Sequence, residues 1–304
     1  MAAPSRTTLI SRTIKVLKKY YKPGPAPKER SLLEHLLFAC LLENSPPELA
    51  EQVFATLQKE YYDWNEVRVS TVSELAEVTK PLVDPVDSAT RLKQTLHSVF
   101  EAVYQFDLET LKKQNIGQAV KQLHKYFGTT KFVVSYVTQM ALGGHSIPVN
   151  KGLLTSMRVV GVITDGEAKK GVVPGLERAV PKRKGVEYGS LLHQLGVEVG
   201  RSPYGPTARK LLLEIAPDCK DRLPKRQTKR PPVEEPPPSK PAKKAAAAKA
   251  TTKKPAKPAD KTAAKLPAKT KKKKPAKRPT KTRKSTGVKK KKTTGRRLTK
   301  KKPR

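Results

Sequence analysis

Between Tyr126 and Lys131 the chain reads YFGTTK, which puts a glycine, two hydroxyls and an ammonium in consecutive positions. That grouping suits the capture of a phosphate better than the making or breaking of a bond. Gly128 permits a tight turn, and Thr129 or Thr130 can cap the helix that follows. Turn amides and a helix N-terminus then offer donors to an anion. The same local pattern also builds an ordinary helical hairpin in an all-helical core, and these residues alone leave both readings open. The other chemically able groups are scattered. Cys40 and Cys219 are the two cysteines. They form no disulfide framework and are too few for an iron–sulfur cluster or a cysteine-built zinc site. Tyr61, Tyr62 and Trp64 can stack on bases or pack on a core.

The turn must be held by its flanks. Ile116, Val120, Leu123, His124 and Phe127 recur at helical spacing before it, as do Phe132, Val133, Tyr136, Val137, Met140 and Ala141 after it. Gly143 and Gly144 stop the second helix. Upstream, an amphipathic helix over 8–21 ends at the Pro-rich segment 23–27. Ser31 caps the most apolar segment, SLLEHLLFACLLEN, with Glu34 as its capping-box partner. That segment reads as the central core helix, with Cys40 a small buried hydrophobe. Further helices are expected over about 47–60, 71–79, 87–106, 151–163, 189–200 and 207–215, with a polar, broken stretch over 164–189. No strand pattern appears in quantity, so the fold class is all-α, with about nine or ten helices.

Charge divides the chain. Residues 222–304 hold 34 Lys and Arg against 3 acidic residues, while residues 1–221 hold 30 against 23. The first part is long enough for a sizeable core. The second is Lys, Ala, Pro and Thr, cannot bury enough apolar surface to order itself, and reads as a disordered basic tail similar to those of linker histones. Its partner is a polyanion, and binding would release counterions without reading sequence. RNA would satisfy the same electrostatics as DNA. No run is apolar enough for a membrane span or a signal peptide. The lysine-rich tail fits a bacterial nucleoid or a nucleus, and the expectation is the cytoplasm with the nucleoid, or a nucleus if the source is eukaryotic. The segments expected are 1–29, an N-terminal helix and connector; 30–223, the helical domain; and 224–304, the tail.

Several stretches of 30–223 run in the order of a known family. SLLEHLLFACLLEN, YFGTT at Tyr126–Thr130, VTQMALG at Val137–Gly143, IPVN at Ile147–Asn150, KGLLTSMRVVGV at Lys151–Val162 and the segment Leu191–Arg222 together resemble the endonuclease III-like branch of the helix-hairpin-helix (HhH-GPD) DNA glycosylases. That family removes damaged or mispaired bases in base-excision repair. The resemblance implies a two-lobed, all-helical fold with the hairpin and catalytic groove near the junction of the lobes. It implies double-stranded DNA as partner, with Gly128, Thr129, Thr130 and Lys131 on phosphates and Asn44 as a short wedge into the duplex. Lys151 and Arg158 add positive charge, and turn carbonyls hold a monovalent cation.

The departures from the family concern chemistry. The family's catalytic aspartate falls at Asn150, whose neutral amide cannot act as a base. The nucleophilic lysine of bifunctional members falls at Phe132, which has no amine for a Schiff base. Lys151 is a candidate amine, against the plainer reading of a solvated lysine. Nothing in the sequence places Asp165 in the groove as a substitute. Cys219 alone remains of the cysteine cluster. The expectation is a DNA-binding protein on a glycosylase fold without glycosylase or AP-lyase activity. The alternatives are an active monofunctional glycosylase with an altered site and a nucleoid- or chromatin-packaging protein.

Overall fold

The computed structural model describes residues 4–24 and 28–224. The tail reading falls on residues outside these. Every regular element among the described residues is helical. The helices are α1 (Arg6–Tyr20), α2 (Leu32–Leu42), α3 (Pro47–Glu60), α4 (Trp64–Val69), α5 (Val72–Val78), α6 (Pro85–Val103), α7 (Ile116–Leu123), α8 (Lys131–Met140), α9 (Lys151–Val160), α10 (Asp165–Lys169), α11 (Leu176–Ala179), α12 (Gly185–Arg201) and α13 (Pro206–Ile215). The three beyond expectation are the short α4, α10 and α11. Periodicity cannot reveal helices this brief, but caps set two of them: Asp63 accepts from the Glu66 N–H of α4, and Thr164 and Glu167 form a capping box on α10.

Two cores make two lobes. The first gathers α2 to α8 around α2, which is buried nearly all round, as its apolar composition requires. The capping box of Ser31 and Glu34 starts it. The second core joins α1 to α9 and to α11 to α13 through Leu9, Ile14, Leu17, Leu153, Met157, Leu191, Leu195 and Leu212. The apolar side of α1 has no partner of its own and is buried against the C-terminal helices, so the N-terminal helix belongs to the second lobe. Of the aromatic group after α3, Trp64 packs on Phe54 and Tyr62 is exposed.

The second lobe depends on a tight crossing of α9 and α12. A Cβ on Gly152 would lie 1.8 Å from the Gly196 carbonyl oxygen, and one on Gly196 would lie 2.0 Å from Asn150 Oδ1. Only hydrogen at both positions lets the two backbones and the Asn150 side chain share that space. Gly152→Ala should lower stability by about 1–3 kcal/mol, the usual cost of overpacking, read from the urea midpoint. An unchanged midpoint would mean that the crossing relaxes.

Candidate nucleic-acid interface

The hairpin is α7, a turn and α8. Gly128 turns at φ +91°, and a Cβ there would come within 2.9 Å of the Arg91 carbonyl of α6. Thr129 Oγ1 lies 2.7 Å from the Tyr126 carbonyl and 2.9 Å from that of Leu123, closing the turn on α7. Thr130 is the N-cap of α8. Its hydroxyl accepts from the Val133 N–H at 3.2 Å and donates to the Glu43 carboxylate at 3.0 Å. Both threonine hydroxyls are therefore spent inside the protein. The phosphate donors left at this end are the N–H groups of the first turn of α8 and the Lys131 ammonium. Lys131 is exposed and its Nζ donates to the Lys170 carbonyl at 2.6 Å.

A cleft of about 450 Å³ opens beside this helix end and brings together Asn44, Thr130, Lys131, Phe132 and Lys151. It also contains Glu43 and, from α6, Asp87 and Arg91, which sequence reasoning missed. The available signal was weak: an acid and a base four apart on α6, a spacing common on any solvated helix. Glu43 is largely buried. Burial pushes its carboxyl upward, while Arg91, Thr130 and Lys151 pull it down. Arg91 forms an ion pair with it.

Several expected residues stand elsewhere. Gly128 faces α6 and Thr129 bonds back to α7, both outside the lining of the cleft. Arg158 is two turns along α9 from Lys151, exposed, and paired with Asp165 at 3.3 Å. Asp165 is therefore engaged on that surface, outside the cleft lining. Asn44 reaches the cleft, but its Nδ2 donates to Asp84 at 3.3 Å. Phe127, expected on the apolar stripe of α7, is 68% exposed, because α7 ends at Leu123 and the turn swings it outward. Cys40 and Cys219 are buried, and burial pushes the Cys40 thiol up to about 11.

The two positions that departed from the family pattern are both interior. Phe132 is 2% exposed, its ring 6.4 Å from that of Tyr136 and 5.6 Å from that of His193. Asn150 is also 2% exposed. It is the N-cap of α9: Oδ1 accepts from the Leu153 N–H at 2.9 Å. Its Nδ2 donates to the Glu43 carbonyl at 3.1 Å, linking the second lobe to the first. Nearby, His193 Nε2 donates to the Leu42 carbonyl at 3.0 Å. Burial holds the His193 pKa down to about 4, so the ring is neutral at pH 7.

No family model matches the sequence, and no curated protein matches it. Solved structures do. A non-covalent endonuclease III–DNA complex aligns at a TM-score of 0.50 and 15% identity, over 72% of this chain and 99% of that one. An endonuclease III trapped as a covalent DNA intermediate gives 0.49 and 15%, over 73% and 100%. A 3-methyladenine DNA glycosylase from H. pylori bound to 1,N6-ethenoadenine gives 0.43 and 17%, over 66% and 97%. The first of these, with the element order above, shows that this chain has the two-lobed helix-hairpin-helix glycosylase fold.

The geometry at Asn150 makes a direct prediction. Asn150→Asp keeps the cap acceptor but sets a carboxylate oxygen against the Glu43 carbonyl, where a donor now stands. The variant should lose about 1–3 kcal/mol, the cost of an unsatisfied buried polar group. Its carboxyl would titrate above the ordinary aspartate value. The penalty should therefore be full above that raised pKa and fade as pH falls through it, because a protonated carboxyl can donate again. Thermal melts of parent and variant across pH would read this, and equal stability at pH 7 would refute it.

Proposed function

We propose that this chain binds double-stranded DNA on a glycosylase fold and carries out neither base excision nor strand cleavage. The observation that carries the reading is the employment of Asn150. Stabilising a sugar cation needs negative charge at the reacting centre, and generating a nucleophile needs a base. Asn150 is a neutral, buried amide whose two ends are engaged by the Leu153 N–H and the Glu43 carbonyl. Phe132 adds hydrocarbon, where a Schiff base needs an amine. Lys151 is exposed, and its ammonium supplies charge to the cleft.

Binding is supported by the helix end and by Lys131, Lys151 and Arg91 in one cleft. The solved structures of this fold include endonuclease III bound to DNA, covalently and non-covalently. Charge makes the same case. The segment after residue 221 holds 34 basic and 3 acidic residues, so electrostatic affinity resides mainly there and the folded lobes supply orientation. RNA shares these phosphates and is a second ligand for that segment.

Purified protein incubated with duplexes carrying oxidised, alkylated or mismatched bases should yield neither abasic sites nor nicks above a protein-free control. Base release abolished by Asn150→Ala or Lys151→Ala would overturn the inactive reading. Truncation after residue 223 should remove most DNA affinity and flatten the slope of log affinity against log salt. An unaltered slope would move the binding to the lobes.

A further inference from the structure

Phe127 is the unexplained residue of the hairpin. Its aromatic neighbours Tyr126, Phe132 and Tyr136 are 3%, 2% and 6% exposed, whereas Phe127 is 68% exposed. The backbone carrying it is pinned on both sides. Its own N–H donates to Ser98 Oγ of α6 at 3.0 Å. The next residue, Gly128, is pressed so closely on α6 that a Cβ would lie 2.8 Å from Thr95 Oγ1. Thr129 then fastens the turn to α7. The ring therefore projects from a rigid mount.

Its surroundings select a ligand. His124 and Lys125, just before it, are exposed, and exposed Lys131 opens the helix just after it. Arg91, whose carbonyl abuts Gly128, lines the cleft with Lys131 and Lys151. A docking site for another protein is a contiguous apolar patch, and one ring among cations is not. A polyanion that also offers flat apolar faces fits both halves of the feature, and nucleic acid is that chemistry.

We propose that Phe127 is a base-contacting wedge, which inserts at a base step of duplex DNA lying along the cleft while Lys131 and the first turn of α8 hold a phosphate. The proposal rests on the DNA-binding reading above. Phosphate contacts carry no apolar component, so the wedge adds affinity that is insensitive to salt.

The test uses the full chain. Anisotropy of a labelled duplex over a salt series should show Phe127→Ala weakening binding about tenfold, within the range for loss of one base–aromatic stack. The salt slope should stay that of the parent, and so should the melting temperature, because the ring is exposed. Phe127→Trp should restore affinity. Its emission should be quenched by duplex beyond any change in the parent, whose single tryptophan is Trp64. Unchanged affinity in Phe127→Ala overturns the proposal, as does Phe127→Trp emission indifferent to DNA. A parent chain that fails to hold duplex at low salt would instead remove the DNA-binding reading on which the wedge depends.

Discussion

The carbonyl end of α2 is the constraint on which the rest of the arrangement depends. A helix leaves its last carbonyls without intrahelical donors, and this helix ends inside the protein. The Leu42 carbonyl takes the Ser45 N–H from its own lobe and His193 from the other, and the Glu43 carbonyl takes Asn150 from the other lobe. Leaving the Glu43 acceptor dry costs about 1–3 kcal/mol, so the Asn150 donor holds the lobes in register, with His193 beside it. A histidine here must be neutral, since desolvation penalises the imidazolium, and that is the direction of its shift. A carboxylate at 150 has no proton to give and would face an oxygen. The amide is the side chain that can both cap α9 and close this joint. The side chain that leaves position 150 without an acid is the one that supplies the donor this joint needs.

Phe132 completes that logic. Beside His193 and Tyr136 it forms an aromatic column between α8 and α12, bounding both the open cleft and a second, more apolar cavity of about 360 Å³. An amine in this place would have to surrender its hydration or its charge. A ring surrenders neither and adds apolar burial. Both positions meet at His193, which packs on the Phe132 ring and shares the α2 terminus with Asn150.

Much of the fold was legible because its signals are local. Ser31 with Glu34, and Thr71 ahead of Glu74, announce helix starts within four residues. The long apolar run of α2 could only be central. The union of α1 with α12 and α13 was not legible, since it joins residues nearly 200 apart (Lys19 to Glu214, for example) and nothing local encodes it. At the site the local signal was present and outweighed. Asn before an apolar helix is a preferred N-cap, and Asn150 is one. The resemblance to the family marks the same position by the carboxylate it lacks. Phe127 was misplaced for a related reason. Helical spacing assigns it to the stripe of α7, but the turn begins before the stripe ends, and chain direction at a turn is set by tertiary contact with Ser98 and Arg91.

Glu43 explains why a buried acid is tolerated beside a helix end that should attract anions. Its carboxylate accepts from Thr130 and from Arg91, and Thr130 in turn accepts from the Val133 N–H. The acid orients the cap, and the cap orients the turn. Such a carboxylate opposes any phosphate approaching α8, and Arg91, Lys131 and Lys151 offset it within the same cleft. The lobes thus spend their charge on geometry and keep little surplus, with 30 basic residues against 23 acidic ones up to residue 221. A fold so nearly balanced cannot by itself hold a polyanion strongly at physiological salt. On the proposed reading the attraction comes from the lysine-rich segment that follows, and the hairpin, with its exposed ring and rigid turn, contributes position rather than charge.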